Sequence, residues 1–138
     1  MFTRILVAYD GSPSAEKAFD VAVDLALRYR ASIAVVAVAR PPEFAEDVET
    51  EAVIDSAKEH LEEAFVGLRQ RATDRSQAVE LHVLVGHPAE QIVRFAEQQK
   101  CDLIVTGHRG RSLFERFRLG SVSRQALHYA HCAVLVVR

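Results

Sequence analysis

Apolar and polar residues follow two alternating patterns along the chain. Short apolar runs occur at 5–9, 33–39, 79–85, 103–106 and 133–137, each closed by glycine, proline or a charged residue. Such runs read as strands, and where they lack polar alternation, as strands buried on both faces. Between them, apolar residues recur at helical spacing. Ala15, Ala18, Phe19, Ala22, Ala26 and Tyr29 mark one helix. Ile54, Ala57, Leu61, Ala64, Phe65, Leu68 and Ala72 mark a second, weakened by Gly67 and preceded by an acidic loop. Ile92, Val93 and Ala96 follow Pro88 on a third, and a last helix is expected from Ser121 to about Ala130. Ser12 is placed to cap the first helix, and Pro13 suits its first turn, where a missing N–H costs nothing.

Five strands alternating with four helices predict a parallel α/β sheet with right-handed crossovers. No repeat or linker interrupts it, so one domain over residues 1–138 is expected. In such sheets a ligand binds beyond the carboxyl ends of the strands, at a topological switch point. That directs attention to Asp10, to Val38 through Arg40, to Gly86, and to Gly107 onward.

Charge sharpens the picture. Residues 43–63 carry nine acids against Lys58 alone, as expected of an exposed helix face. From Gly107 to the end there are six arginines and one acid, Glu115, and the basic run lies among glycines and serines. The net charge of −2 argues against a nucleic-acid coat, and no apolar run approaches the roughly 20 residues of a membrane span. The two cysteines, Cys101 and Cys132, form no CxxC pair and are expected to be reduced thiols of a cytoplasmic protein. Each begins a strand, and these two strands should be neighbours.

The most informative segment is Gly107-His108-Arg109-Gly110, nine residues, then Gly120-Ser121-Val122-Ser123. It follows a predicted strand and enters a predicted helix. Glycines allow close backbone approach, the helix start offers unpaired N–H groups, and the serines add hydroxyl donors. These parts make a phosphate cradle, or alternatively a tight turn leading to an ordinary helix. A P-loop, a dinucleotide G-x-G-x-x-G after the first strand and a G-x-S-x-G elbow are all missing from the sequence.

With its G-x2-G-x9-G-S spacing, the opening Ile5-Leu6-Val7-Ala8-Tyr9-Asp10-Gly11-Ser12, the Gly86-His87-Pro88 turn and the closing Ala133-Val134-Leu135-Val136-Val137, the chain resembles the universal stress protein family over nearly its whole length. The resemblance implies a doubly wound, Rossmann-like five-stranded sheet in order 3-2-1-4-5. It also implies ATP binding and a homodimer. By resemblance, Asp10 lies near the ribose or the metal-phosphate end and Val38 reads adenine through its backbone. Gly107 and Gly110 hold the loop, and Gly120, Ser121, Val122 and Ser123 bind phosphates. His108 and Arg109 lie within that loop, and Arg109 with Arg111 adds positive charge. Two departures stand out: Ala8-Tyr9 where many members have proline and a smaller polar residue, and His131-Cys132-Ala133 where Cys-Pro is frequent.

A carboxylate beside a triphosphate needs a cation between them, so Asp10 is a candidate Mg²⁺ ligand; an Asx-turn with its own backbone is the alternative. The expected function is a nucleotide-dependent stress-response module that binds ATP, or AMP or ADP, with at most slow hydrolysis, since no residue is an evident general base. Two other readings stay open: a module that docks partners without nucleotide, and a small ATP-using enzyme. Ala133 to Val137 falls at a sheet edge in this order and is expected to pair with its copy in a homodimer.

Overall fold

The computed structural model describes residues 1–42, 47–109 and 119–138. The elements in chain order are β1 (Arg4–Ala8), α1 (Pro13–Tyr29), β2 (Ser32–Ala39), α2 (Asp47–Asp74), β3 (Val79–Val85), α3 (Pro88–Gln98), β4 (Leu103–Gly107), α4 (Ser121–Tyr129) and β5 (Ala133–Val137). The strands form one sheet in order β3-β2-β1-β4-β5, every pair parallel. Parallel strands need crossovers, and α1 to α4 supply them.

The strand period of two divides the core by face. On one face Ile5, Val7, Val35 and Val105 pack with Phe19 and Val23 of α1 and Phe65 and Leu68 of α2. On the other, Leu6, Ala34, Val36 and Ile104 pack with Ile92 and Phe95 of α3, and Val122 of α4 joins them. Central β1 and β4 are therefore apolar at nearly every position, as strands covered on both faces must be. Burying one such large side chain is worth about 1.5–3 kcal/mol.

Helix α1 starts as expected. The Ser12 side chain accepts from Ala15 N at 3.1 Å, and Pro13 occupies the first turn. Helix α2 begins earlier than expected, at Asp47, and absorbs most of the acidic segment read as a loop. Glutamate is a good helix former and acids favour the positive end of the helix dipole, so these residues need no core contact to be helical. Val48 at 80% and Val53 at 49% exposure lie outside the core, which α2 joins only from Leu61 onward. Three ion pairs strap α2 to α1: Arg71 meets Glu16 and Asp20, and Arg75 meets Asp24. These pairs are partly exposed, so each contributes about 1 kcal/mol or less.

At the amino-terminal edge of the sheet, Asp102 fastens β1 to the start of β4. Its Oδ2 accepts from Thr3 N (2.8 Å) and Thr3 Oγ1 (2.9 Å), and Oδ1 accepts from Arg4 N (3.1 Å). Burial pushes this carboxyl upward, but the three hydrogen bonds outweigh it and hold it below its ordinary range. Among the described residues, no helix is long and apolar enough to cross a membrane.

Candidate functional site

At the opposite, carboxyl end of the sheet the strand order reverses between β1 and β4, and a cleft of about 560 Å³ opens there. This volume suits a small-molecule ligand. The β1–α1 turn forms one wall. Gly11 adopts φ +81°, which a side chain would resist, and this turns the chain sharply from β1 into α1. Asp10 Oδ1 accepts from Ser12 N at 2.9 Å, so the Asx-turn is present. That bond engages one carboxylate oxygen, and Asp10 lines the cleft.

The end of β2 supplies a second wall. Tyr9 N donates to Val36 O at 2.9 Å and closes the β1–β2 ladder. Backbone groups alternate sides along a strand, and Gly86 N takes Ala39 O on the β3 side (3.1 Å). The amide groups of Val38 therefore face the β1 side, past the end of that ladder, at the cleft.

The third wall is the passage from β4 to α4. The ends of the glycine-arginine loop are pinned: His108 N donates to Val137 O (2.6 Å), and Gly120 N donates to His108 O (2.8 Å). Ser12 Oγ also donates to Arg109 O at 3.3 Å, tying the loop to the β1–α1 turn. Helix α4 then begins at Ser121 with Gly120 as its N-cap, and among the described residues no side chain caps it. Its first intrahelical donor is Arg124 N, bonded to Gly120 O at 3.0 Å. The N–H groups of Ser121, Val122 and Ser123 thus start the helix without the cap that Ser12 gives α1, and all three residues line the cleft. An uncapped helix start is a ready anion site.

Most of the sequence-predicted residues meet here. Asp10, Val38, Gly107, Arg109, Gly120, Ser121, Val122 and Ser123 all line the cleft. His108 does not; its backbone staples the loop to β5. Gly110 and Arg111 lie outside the described residues. Ser123 is buried, and its hydroxyl donates to Gly107 O at 2.6 Å and pairs with Thr106 Oγ1 at 3.2 Å. That hydroxyl holds α4 to the end of β4. Gly107 has a steric reason to be glycine. A Cβ there would sit 2.6 Å from Ser14 Cβ and 2.9 Å from Ala15 N.

Sequence reasoning pointed to Arg40 and Tyr9 by their places at strand ends without giving either a role, and it missed Ile92; all three line the cleft. Arg40 follows directly on β2, so the strand-end rule reaches it. Ile92 comes from α3, and only the packing of α3 over the sheet places it there. The buried Tyr9 hydroxyl donates to Glu16, which also pairs with Arg71. Burial, then this bond, pushes the Tyr9 phenol well above its ordinary value.

Comparison with known proteins gives a consistent picture. A family model described as the universal stress protein family matches residues 1–138. The universal stress protein YxiE of Bacillus subtilis is 32% identical over 153 aligned residues, covering 100% of both chains. Among solved structures, UspA of Lactobacillus plantarum superposes with a TM-score of 0.92 at 27% identity, covering 99% of this chain and 98% of its own. A universal stress protein from Archaeoglobus fulgidus, solved in complex with dAMP, has a TM-score of 0.71 at 26% identity, with 99% and 98% covered.

Proposed function

Because the chain belongs to the universal stress protein family, we propose that its cleft binds an adenine nucleotide, with ATP as the ligand that engages every wall. The observation that carries this reading is the uncapped start of α4 facing the open backbone edge of Val38 across one cleft. One end offers N–H donors for phosphates; the other offers an amide pair for the edge of a base. Ile92, Ala8 and Val122 give the apolar surface a purine and ribose need. Arg40 and Arg109 bring positive charge to the same cleft. A related protein of this fold binds dAMP, which supports an adenine ligand.

Mg²⁺ enters this reading with the phosphates. It is commonly held by one or two carboxylates together with phosphate oxygens and water, so a single Asp10 fits that requirement. Asp10 would hold the ion, and the ion would screen its charge from the phosphates. Ser121 and Val122 contact phosphate through their N–H groups, and Gly120 lets the phosphates come close. The role is binding and signalling, with hydrolysis slow at most. The protein works as a homodimer joined through β5.

Mass spectrometry of nucleotide released from the denatured purified protein tests the ligand, and titration calorimetry with Mg·ATP tests the cradle. Gly120 sits at φ −59°, a region open to any residue, so Gly120→Val should fold normally. It should bind Mg·ATP at least tenfold more weakly. Unchanged affinity would refute the cradle, and wild-type protein that neither carries nor binds nucleotide would refute the reading.

A second reading has its own observation. From 48 to 60, α2 is exposed or only half-buried on every side, and it is acidic there. An overhanging helix of this kind suits docking to a basic partner, with or without nucleotide in the cleft.

A further inference from the structure

The end of the sheet remote from the cleft holds the chain's two thiols. Cys101 lies two residues before β4 and Cys132 directly before β5. These strands are parallel neighbours with Leu103 opposite Ala133. Extending that register puts Cys132 beside Asp102, one step diagonal from Cys101. Strand spacing and rise make such a diagonal about 6 Å between Cα atoms, inside the range a disulfide spans. Ideal alternation would aim the two side chains at opposite faces. Here both pack in the same layer, under α3, in the cluster built on Ile104. Both also line one pocket of about 410 Å³ that opens beside Glu97 and His131. Cys132 is half-buried and Cys101 is buried beneath it.

We propose that Cys101 and Cys132 are a peroxide-responsive pair that closes reversibly to an intramolecular disulfide, stapling edge strand β5 to β4. The oxidant is hydrogen peroxide entering the pocket. The Cys132 sulfur, the more accessible one, attacks a peroxide oxygen. The O–O bond breaks, a sulfenic acid forms, and water leaves with the thiol proton. The Cys101 sulfur then attacks the Cys132 sulfur. The S–O bond breaks, an S–S bond forms, and a second water carries off the Cys101 proton. Two thiols lose two electrons, and one peroxide is reduced to two waters. The surroundings make the first oxidation slow, because the thiolate is the attacking species. Burial raises both thiols, so they rest protonated, while the Arg4 guanidinium draws Cys101 back down. Among the described residues, Arg4 Nε is buried without a hydrogen-bond partner. Disulfides of this kind in reducing compartments are characteristically transient.

The test uses the full chain, reduced, desalted and exposed to hydrogen peroxide, then quenched and alkylated in denaturant. The expected product is a monomer that has lost two hydrogens and takes up no alkylating agent, with one cross-linked peptide pair containing Cys101 and Cys132. A dithiol reductant should restore both thiols. In Cys101→Ser, oxidation should stop at a Cys132 sulfenic acid that dimedone traps, whereas wild type should outrun the trap. Dimedone trapping wild type as fully as the variant would contradict the resolving role of Cys101. If both thiols stay alkylatable, or if the cross-link joins two chains, the pair is not a switch. The wild-type result decides this even where the variant folds poorly.

Discussion

At the residue scale, Gly107 and Tyr9 make the sharpest claims. The Cβ that Gly107→Ala adds would press on the backbone of α1 at Ser14 and Ala15, where no rotamer change can relieve it. The variant should lose about 1–3 kcal/mol of stability, read as a lower urea midpoint with an unchanged slope. Equal midpoints would mean that α1 can move away freely. Tyr9 donates its buried hydroxyl to Glu16, and its phenol is raised by burial and by that bond. A group raised in the folded state stabilises fully below its unfolded value, about pH 10, and that stability is lost as pH climbs beyond it. Tyr9→Phe should therefore cost about 1 kcal/mol at neutral pH. It should also flatten the decline in urea-unfolding stability above about pH 10. The same two residues show what a sequence can carry. The glycine spacing was legible as a motif, but the contact that makes Gly107 obligatory belongs to α1, far away in sequence. Asp10 could be read as turn or ligand, and the turn is there, with one oxygen engaged. Tyr9 read as the end of a strand and a departure from the family pattern, but its hydroxyl bond was not legible, since its partners come from α1 and α2.

At the scale of elements, strands were the easier reading. The residues 79–85 and 133–137 predicted as strands are β3 and β5 without change, because glycine and charge punctuate them sharply. The start of α2 was not legible. Periodicity detects a helix through its buried face, and residues 48–53 bury none. The same helix contains the plainest stability prediction. Gly67 lies inside α2, and a Cβ built on it meets nothing within 4 Å. Glycine costs a helix interior about 0.8–1 kcal/mol relative to alanine, partly through the freedom it gives the unfolded chain. Gly67→Ala should raise stability by about 0.5–1 kcal/mol, seen as a higher thermal midpoint, with nucleotide affinity unchanged. A lower midpoint would mean that this face of α2 is covered in solution. The ion pairs from Arg71 and Arg75 should matter less, because each is solvent-screened.

At the scale of the whole molecule, the decisive asymmetry is between β4 and β5. All of β4 is buried, whereas β5 is half-buried or exposed at each position, and Leu135 reaches 36% exposure. An apolar strand at the sheet edge offers its outer N–H and C=O groups to another strand. A two-fold copy pairing β5 antiparallel would satisfy both edges and close the assembly. The register identifies which groups are outermost. His108 N binds Val137 O, so Val137 faces β4, and by alternation Val136 faces outward. Val136→Pro would then remove an outer donor while leaving the β4–β5 ladder whole, and proline is tolerated on an edge with its nitrogen facing out. The wild-type protein should sediment as a dimer at micromolar concentration. Val136→Pro should shift the equilibrium toward monomer, with circular dichroism unchanged. A well-folded wild-type monomer at that concentration would overturn the assembly. A variant as dimeric as wild type would place the contact on some other surface.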